Sequence, residues 1–292
     1  MIPDPRSGRV LRGIACVMFA VGIVVVACER KPEAGEVTGQ RIVSIGGAVT
    51  ETVFALGAGD RVVAVDTSSV YPASTEKLPK VGYQRALSAE GILAFAPDLV
   101  LVSDEAGPAS TIEQLRAAGV RVEKLSGAQT IDSAVARITA VGAAIDRPAA
   151  TLATKVRDEA TAARARVPAT RPKFVLIYAR GAGTLMVSGT GTQGAAMLEL
   201  AGGKNAVTGF DGWKTLSAES LIAAAPDVLV MPARGLGSLG GEAGLLALPG
   251  VADTPAGRAR RFVPFDDLLL LGFGPRLGPA IADLAAALRT ER

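Results

Sequence analysis

The stretch Leu87-Ser-Ala-Glu-Gly-Ile-Leu-Ala-Phe-Ala-Pro-Asp98 recurs later in the chain as Leu216-Ser-Ala-Glu-Ser-Leu-Ile-Ala-Ala-Ala-Pro-Asp227. The copies are identical at eight of twelve positions, and each runs directly into a segment rich in Val and Leu. Each copy predicts a helix followed by a strand. The repeat therefore predicts two related lobes rather than one continuous sheet.

Short Val/Ile/Leu segments alternate with longer Ala/Leu-rich segments throughout both halves of the chain, as is typical of βαβ units on a parallel sheet. In the first half, strands are predicted at 42–45, 62–65, 99–102 and 120–125, and helices at 49–56, 89–96 and 111–118. In the second half, strands are predicted at 174–177, 185–187, 228–230 and 262–265, and helices at 195–200, 218–224 and 279–288. The fold class is therefore α/β, with two βα lobes that each contain a central parallel sheet.

Two helical segments are predicted between the lobes. Apolar residues recur at helical spacing from Ile131 to Ile145; Asp146 can then cap a second helix, with Pro148 in its first turn. A helix of about twenty residues is about 30 Å long, which is long enough to join two lobes and too stiff for a large hinge closure. The predicted division is an N-terminal lobe at 41–146, a connecting helix at 147–167 and a C-terminal lobe at 168–292.

The N-terminal segment has the pattern of an export signal. Three arginines precede an almost uncharged apolar run at 13–27, which ends in Val-Ala directly before Cys28. This order resembles the lipobox of bacterial lipoproteins, which implies cleavage of 1–27 and lipidation of Cys28; an ordinary membrane anchor helix is the alternative, although the run is short for one. Residues 28–40 are predicted to form a tether. We expect an exported protein, lipid-anchored on the periplasmic side or at the cell surface.

The composition excludes several classes of function. The 292 residues contain no histidine, so Ser-His-Asp and Cys-His nucleophiles and imidazole-rich metal sites are absent. The formal charge is +3, and removal of 1–27 lowers it to about +1. A near-neutral chain with 4% aromatic residues is a poor nucleic-acid binder.

The pattern resembles the helical-backbone class of periplasmic binding proteins, which carry haem, corrinoids, ferric siderophores and some metals. The resemblance covers the mature chain, through Arg41-Ile-Val-Ser-Ile-Gly-Gly-Ala-Val-Thr-Glu51, Gly57-Ala-Gly-Asp-Arg-Val-Val-Ala-Val-Asp66, Tyr71-Pro72 and both repeat copies. Within the class, 81–87, 189–192, 234–251 and 266–274 resemble the haem branch. The resemblance implies a non-enzymatic carrier that delivers haem to an ABC permease dimer with its ATPase subunits. A corrinoid or a ferric siderophore is the alternative cargo.

Tyr83 is the candidate axial ligand of the haem iron, because the resemblance places the ligand tyrosine of the haem branch at this position. It stands before a predicted helix, on a loop of the kind where ligands of α/β lobes collect. A phenolate oxygen suits ferric iron, and the cation of Arg85 can support the phenolate. A loop tyrosine bonded to backbone is the alternative. Without histidine, the iron is expected to be five-coordinate or to take water.

Four further positions are candidates for haem support. Arg180 and Arg234 either bind propionates or are ordinary solvated arginines, and backbone amides at Gly191 and Thr192 can hold a propionate at a helix start. Tyr178 ends a strand, where it can face either the cleft or the core.

Glu90 and Glu219 occupy equivalent positions in the two repeat copies, each after a serine that can cap the helix. An acidic residue there stabilises the helix dipole by about 0.3–1 kcal/mol. The resemblance implies instead that these residues contact the permease dimer, and the approximate two-fold repeat fits a two-fold partner.

Gly189-Thr-Gly-Thr-Gln-Gly194 has the G-x-G-x-x-G spacing of a dinucleotide site, with Asp211 downstream. An exported dinucleotide-dependent oxidoreductase is therefore the remaining alternative. The same residues also match the loop of the haem branch.

Overall fold

A computed structural model describes residues 39–169, 171–179, 181, 185–215 and 217–289. The predicted signal peptide, Cys28 and most of the predicted tether lie outside these residues. In the described part of the chain, no helix combines the length and the apolar character that a membrane span requires.

The first lobe is built on a parallel sheet with the strand order β2-β1-β3-β4. The strands are β1 (Ile42–Ile45), β2 (Val62–Val65), β3 (Leu99–Ser103) and β4 (Arg121–Leu125). All side chains of β1 and β2 are buried, since a parallel strand covered by helices on both faces has no solvent side. Edge strand β4 instead carries Arg121, Glu123 and Lys124, and such charges discourage pairing with other chains.

Helices cover both faces of this sheet. They are α1 (Gly47–Ala55), α2 (Ala89–Leu93) and α3 (Ala109–Ala117), with 3₁₀ turns at Gly59–Arg61 and Ala73–Lys77. Ile42 packs with Val53 of α1 on one face, whereas its neighbour Val43 packs with Ile92 and Leu115 on the other. This alternation follows from the period of two along a strand.

The two predicted helices between the lobes are present as α4 (Ile131–Ala144) and α5 (Ala150–Ala165). The prediction that Asp146 caps α5 is wrong: the residue before α5 is Ala149, which makes no side-chain capping bond. Asp146 adopts a left-handed φ of 54°, a conformation that Asp tolerates better than most residues. It therefore ends α4 instead of starting α5.

α5 lies within the predicted range 147–167 and packs against α4 and against the last helix, α12 (Leu277–Arg289). At 1.5 Å per residue its 16 residues span about 24 Å. Its buried face is mostly alanine, and a Cβ at Gly278 of α12 would lie 2.6 Å from Glu159 Cβ. Small residues thus let the two helices approach closely. The placement of the lobe boundaries at 146 and 168 stays a prediction.

The second lobe contains a sheet with the order β10-β9-β5-β6-β8, and β7 pairs with β5. The strands are β5 (Lys173–Ala179), β6 (Leu185–Ser188), β7 (Lys204–Asn205), β8 (Trp213–Lys214), β9 (Val228–Pro232) and β10 (Phe262–Phe265). β10, β9 and β5 were predicted as strands and pair in parallel, and β7, which was not predicted, also pairs in parallel with β5. β6 adds a strand antiparallel to β5 and β8, because the connection after Ala179 is too short for a parallel crossover.

The helices of the second lobe surround this sheet. Besides α12 they are α6 (Gln193–Leu200), α7 (Ala218–Ala224), α8 (Ala233–Ser238), α9 (Glu242–Leu246), α10 (Pro255–Arg258) and α11 (Asp267–Leu271). The helices α8 to α11 were not predicted. Each has four to six residues, which is too few to repeat an apolar period.

Candidate functional site

A cleft of about 950 Å³ lies between the lobes. Its lining includes Gly46 after β1, Ser103 of β3, Ala179 of β5 and Pro232 of β9, all at the carboxyl ends of strands. Ligands of α/β proteins bind at this end of the strands, and the volume lies within the range of small-molecule sites, about 300–1,000 Å³. The cleft is therefore the candidate binding site.

Tyr83 lines the cleft and is half-buried. Backbone hydrogen bonds hold its loop on both sides: Thr67 N donates to Gly82 O at 2.9 Å, and Gly107 N donates to Gln84 O at 2.9 Å. The backbone that carries Tyr83 is thus held by hydrogen bonds on both sides of the residue.

Arg85 also lines the cleft, and it donates to Glu105 Oε2 at 2.6 Å. Partial burial acts to lower the pKa of Arg85, but the hydrogen bond and charge of Glu105, with contributions from Tyr83 and Tyr178, raise it above its ordinary value. Two phenols from opposite lobes therefore lie within electrostatic range of one guanidinium. Glu105, which the sequence analysis missed, is the direct partner of Arg85.

Tyr178 faces the cleft, which decides between the two orientations left open by the sequence. Its ring packs edge-on against Trp213, with centroids 5.6 Å apart and an interplanar angle of 62°. Met186 lines the cleft beside them. The second lobe thus presents a wall of two aromatic rings and a thioether.

Arg234 lies in the first turn of α8 and lines the same cleft. Its backbone N–H donates to Asp267 Oδ1 at 3.4 Å. Burial raises the pKa of Asp267, although this hydrogen bond and the charge of Arg234 oppose the shift. Arg234 also borders a smaller cavity of about 410 Å³, which Tyr71 and Arg276 line.

Gly191 and Thr192 form the start of α6 and line the cleft. Thr192 caps the helix by accepting a hydrogen bond from Ala195 N at 3.0 Å. Gln129 Nε2, from the first lobe, donates to Gly191 O at 2.8 Å. A hydrogen bond from the first lobe therefore holds the start of α6 at the cleft.

Packing explains two glycines of the G-x-G-x-x-G stretch, and a left-handed φ of 68° explains Gly191. A Cβ at Gly189 would collide with Phe210, and one at Gly194 with Leu176. Asp211 accepts a hydrogen bond from the Thr190 hydroxyl. The strand before the motif, β6, is antiparallel to its neighbours, whereas a dinucleotide fingerprint opens a parallel βαβ unit.

Two contacts between the lobes were missed by the sequence analysis. Arg276 donates to both carboxylate oxygens of Glu51, at 2.8 and 3.0 Å. Arg137 of α4 donates from Nη2 to the carbonyls of Gly272 and Phe273, at 2.7 and 2.6 Å. Arg137 also lines the cleft. The available signal was an arginine on the apolar face of a helix, because arginine is rarely buried unless it is paired.

Glu90 and Glu219 are exposed and are each the second residue of a helix, in α2 and α7 respectively. The predicted serine caps are present: Ser88 accepts from Gly91 N at 3.3 Å, and Ser217 accepts from Ser220 N at 3.2 Å. Hydrogen bonds from its own amide and from the Ser217 hydroxyl lower the pKa of Glu219. The two glutamates therefore occupy the same position in their helices, each after a capping serine.

Two predicted site residues fall outside the described residues. They are Arg180, a candidate for propionate binding, and Cys28, the candidate lipidation site.

Two solved structures with similar folds are described as periplasmic haem-binding proteins. RhuT from Roseiflexus sp. RS-1, a periplasmic haem-binding protein solved in apo form, is 46% identical with a TM-score of 0.83, covering 86% of this chain and 98% of that chain. The periplasmic haem-binding protein BhuT, solved with two haems, is 46% identical with a TM-score of 0.80, covering 85% of this chain and 97% of that chain.

Curated relatives are more distant. YvrC of Bacillus subtilis (strain 168), an uncharacterized ABC transporter substrate-binding lipoprotein, is 28% identical over 257 residues, 85% of this chain and 80% of that protein. A vitamin B12-binding protein of Yersinia pestis (strain Pestoides F) is 29% identical over 195 residues, 66% of this chain and 69% of that protein.

A family model described as periplasmic binding protein matches residues 42–267. The match begins at β1, includes both sheets and the connecting helix α5, and ends in α11. It therefore covers both lobes and the cleft between them. This chain belongs to the periplasmic binding protein family.

Proposed function

We propose that this protein is the substrate-binding component of an ABC importer and that its cargo is haem, bound in the cleft between the lobes. The observation that carries the proposal is the setting of Tyr83, a half-buried phenol on a fixed loop of the cleft, within electrostatic range of Arg85. The 46% identity to haem-binding RhuT and BhuT supports the choice of cargo. The proposal assigns capture and delivery to the cleft, with no chemical conversion of the cargo.

Tyr83 is the proposed axial ligand of the haem iron. A phenolate is a hard anionic donor that suits ferric iron, and tyrosine is a known axial ligand of haem. The guanidinium of Arg85 lies within electrostatic range of Tyr83 and can support an iron-bound phenolate. Since the chain contains no histidine, the other axial position is either vacant or held by water.

The remainder of the cleft suits a flat, apolar ligand with anionic edges. The rings of Tyr178 and Trp213 offer packing surface for a porphyrin face. Arg234 is the proposed partner of a propionate, as is Arg180, because a guanidinium fork matches a carboxylate. Backbone amides at Gly191 and Thr192 can supply further hydrogen bonds at the start of α6.

We propose that Glu90 and Glu219 dock the protein onto a permease dimer that works with ATPase subunits. Both carboxylates are exposed at equivalent helix starts of the two lobes. A partner with two-fold symmetry would meet both through equivalent contacts. The ABC transporter role in the name of YvrC supports this assignment.

We propose export with the signal peptide 1–27 and lipid attachment at Cys28, on the periplasmic side or at the cell surface. The support is the order of charged residues, apolar run and cysteine, together with the lipoprotein name of YvrC. Mass spectrometry of the membrane-bound protein tests this directly. Recovery of an unmodified Cys28 in the mature chain would refute it.

A corrinoid or a ferric siderophore is the alternative cargo, and the relationship to a vitamin B12-binding protein favours the former. Calorimetric competition between hemin and cobalamin separates the two, and we expect hemin to displace cobalamin. The dinucleotide-dependent oxidoreductase is disfavoured by the antiparallel β6. Retention of nicotinamide or flavin by the purified protein would favour the oxidoreductase instead.

The deciding experiment is titration of the purified protein with hemin, followed by visible spectroscopy. We expect a ferric, tyrosinate-type spectrum for the wild type and its loss in Tyr83→Phe. Tyr71→Phe is the matched control, because Tyr71 lines the smaller cavity and stacks on Arg276 instead of facing the cleft. An unchanged spectrum in Tyr83→Phe would overturn the ligand assignment, and no binding of hemin by the wild type would overturn the function.

A further inference from the structure

The guanidinium of Arg137 lies in a wall of the cleft and has no role in the proposed iron site. Arg137 follows Thr130 and Ser133 along one face of α4, and all three line the cleft. Only 7% of the surface of Arg137 is exposed. Its guanidinium is therefore buried against the cleft and does not extend into bulk solvent.

The hydrogen bonding of Arg137 is incomplete. A guanidinium has five N–H donors, and Arg137 bonds two carbonyls, Gly272 O and Phe273 O, both through Nη2. Nε is buried without a hydrogen-bond partner among the described residues. Nη1 bonds neither carbonyl, so an acceptor that arrives with a ligand can meet its donors.

The charge of Arg137 also lacks a direct counter-ion. The ion pairs formed within the described ranges do not include it. The two carboxylates that act on it electrostatically, Asp104 and Glu51, have other partners: Asp104 accepts from Gly127 N at 2.9 Å, and Glu51 pairs with Arg276. Burying a cation without a partner is unfavourable. An anionic group in the cleft would relieve this cost.

The start of α6 lies beside Arg137. With its amide nitrogen turned toward the loop, Gln193 donates to Leu271 O at 3.2 Å, and Arg137 donates to the next carbonyl, Gly272 O. A helix N-terminus favours anions through its free amides and its dipole. Two independent features, a buried cation and a helix start, thus converge on one part of the cleft.

We propose that Arg137 binds a carboxylate of the cargo against the first turn of α6. The inference rests on the proposed function, and for haem the carboxylate is a propionate. Because Nη2 is occupied by the carbonyls of Gly272 and Phe273, Nη1 is the group that can donate to a carboxylate oxygen. Arg137 then selects cargo that carries a carboxylate, whereas Tyr83 recognises the iron.

The test compares hemin with its dimethyl ester, in which both propionates are esterified. Affinities are measured for the wild type, for Arg137→Gln and for Arg276→Gln. The third protein is the matched control, because Arg276 also joins the lobes but does not line the cleft. We expect Arg137→Gln to weaken hemin binding about ten- to a hundredfold and ester binding by less than about threefold.

Arg276→Gln is expected to change both affinities by the same factor. If Arg137 only joins the lobes, Arg137→Gln will behave in the same way, and that result would overturn the inference while leaving haem binding intact. Failure of the wild type to bind hemin would overturn the inference together with the function. If Arg137→Gln does not fold, the crystal structure of the wild-type hemin complex decides: a propionate within hydrogen-bond distance of Arg137 supports the inference, and propionates placed elsewhere refute it.

Discussion

Replacing Arg276 with methionine should destabilise the protein by removing a buried ion pair between the lobes. The pair joins residues 225 positions apart in the sequence, through two hydrogen bonds of 2.8 and 3.0 Å. Glu51 is only 3% exposed. Methionine at position 276 would therefore leave a buried carboxylate without its partner.

The magnitude follows from the burial of the two side chains. Removing one partner of a buried ion pair costs about 3–5 kcal/mol. Because the Arg276 side chain is 27% exposed, water can reach the site, and we expect the lower end, about 3 kcal/mol. At about 2–4 °C per kcal/mol for a protein of this size, the melting temperature should fall by about 6–12 °C.

Urea denaturation and thermal unfolding of four proteins test this expectation. They are the wild type, Arg276→Met, the double variant Glu51→Met/Arg276→Met, and Arg121→Met. The double variant should recover much of the lost free energy of unfolding, because it removes the unpaired carboxylate of Glu51. Arg121 forms an exposed pair with Glu123, so Arg121→Met should cost about 0–1 kcal/mol. The reasoning is refuted if Arg276→Met is no more destabilising than Arg121→Met, or if the double variant is as unstable as Arg276→Met.

Three further expectations concern other parts of the molecule. Glu90→Arg combined with Glu219→Arg should stop uptake by whole cells and leave hemin affinity unchanged, whereas a substitution of the exposed Glu113 of α3, Glu113→Arg, should leave both intact. A loss of hemin affinity in the double variant would assign the two glutamates a structural role. Burial raises the pKa of Asp267 in the folded protein above its ordinary value of 3.8. The stability that protonation of Asp267 provides is therefore present below pH 3.8 and is lost as the pH rises through the raised pKa. Asp267→Asn should abolish this decline in the urea midpoint, and a variant with the same pH profile as the wild type would contradict the expectation. Thr130→Ala removes half of the capping box of α4 and should cost about 1 kcal/mol in the same assay; an unchanged midpoint would count against the cap.

Much of the fold follows from local sequence patterns. β1, β2 and β3 were predicted because strands buried on both faces are near-continuous runs of apolar residues. β7 and β8 have two residues each, and no periodic pattern can be read from two positions. β7 forms by pairing with β5, and β8 forms by pairing with β6. Both strands therefore depend on residues that are distant in the sequence.

The site was predictable only in part, for a similar reason. The repeat predicted a loop position for Tyr83, because the helix and strand of the copy that follows it are recognisable, and the resemblance to the haem branch marked Tyr83 as the candidate iron ligand. The partnership of Glu51 with Arg276, and the contact of Arg137 with Gly272, depend on how the two lobes meet. Although an arginine on the apolar face of a helix is a sequence signal for Arg137, only the assembled lobes identify the partners of these residues.

The most direct test of the central claim is the visible spectrum of the hemin complex of the wild type beside that of Tyr83→Phe, with Tyr71→Phe as the control. We expect the wild type and Tyr71→Phe to share a ferric spectrum with tyrosinate character, and Tyr83→Phe to lose it. Identical spectra for the wild type and Tyr83→Phe would contradict the assignment of Tyr83 as the iron ligand.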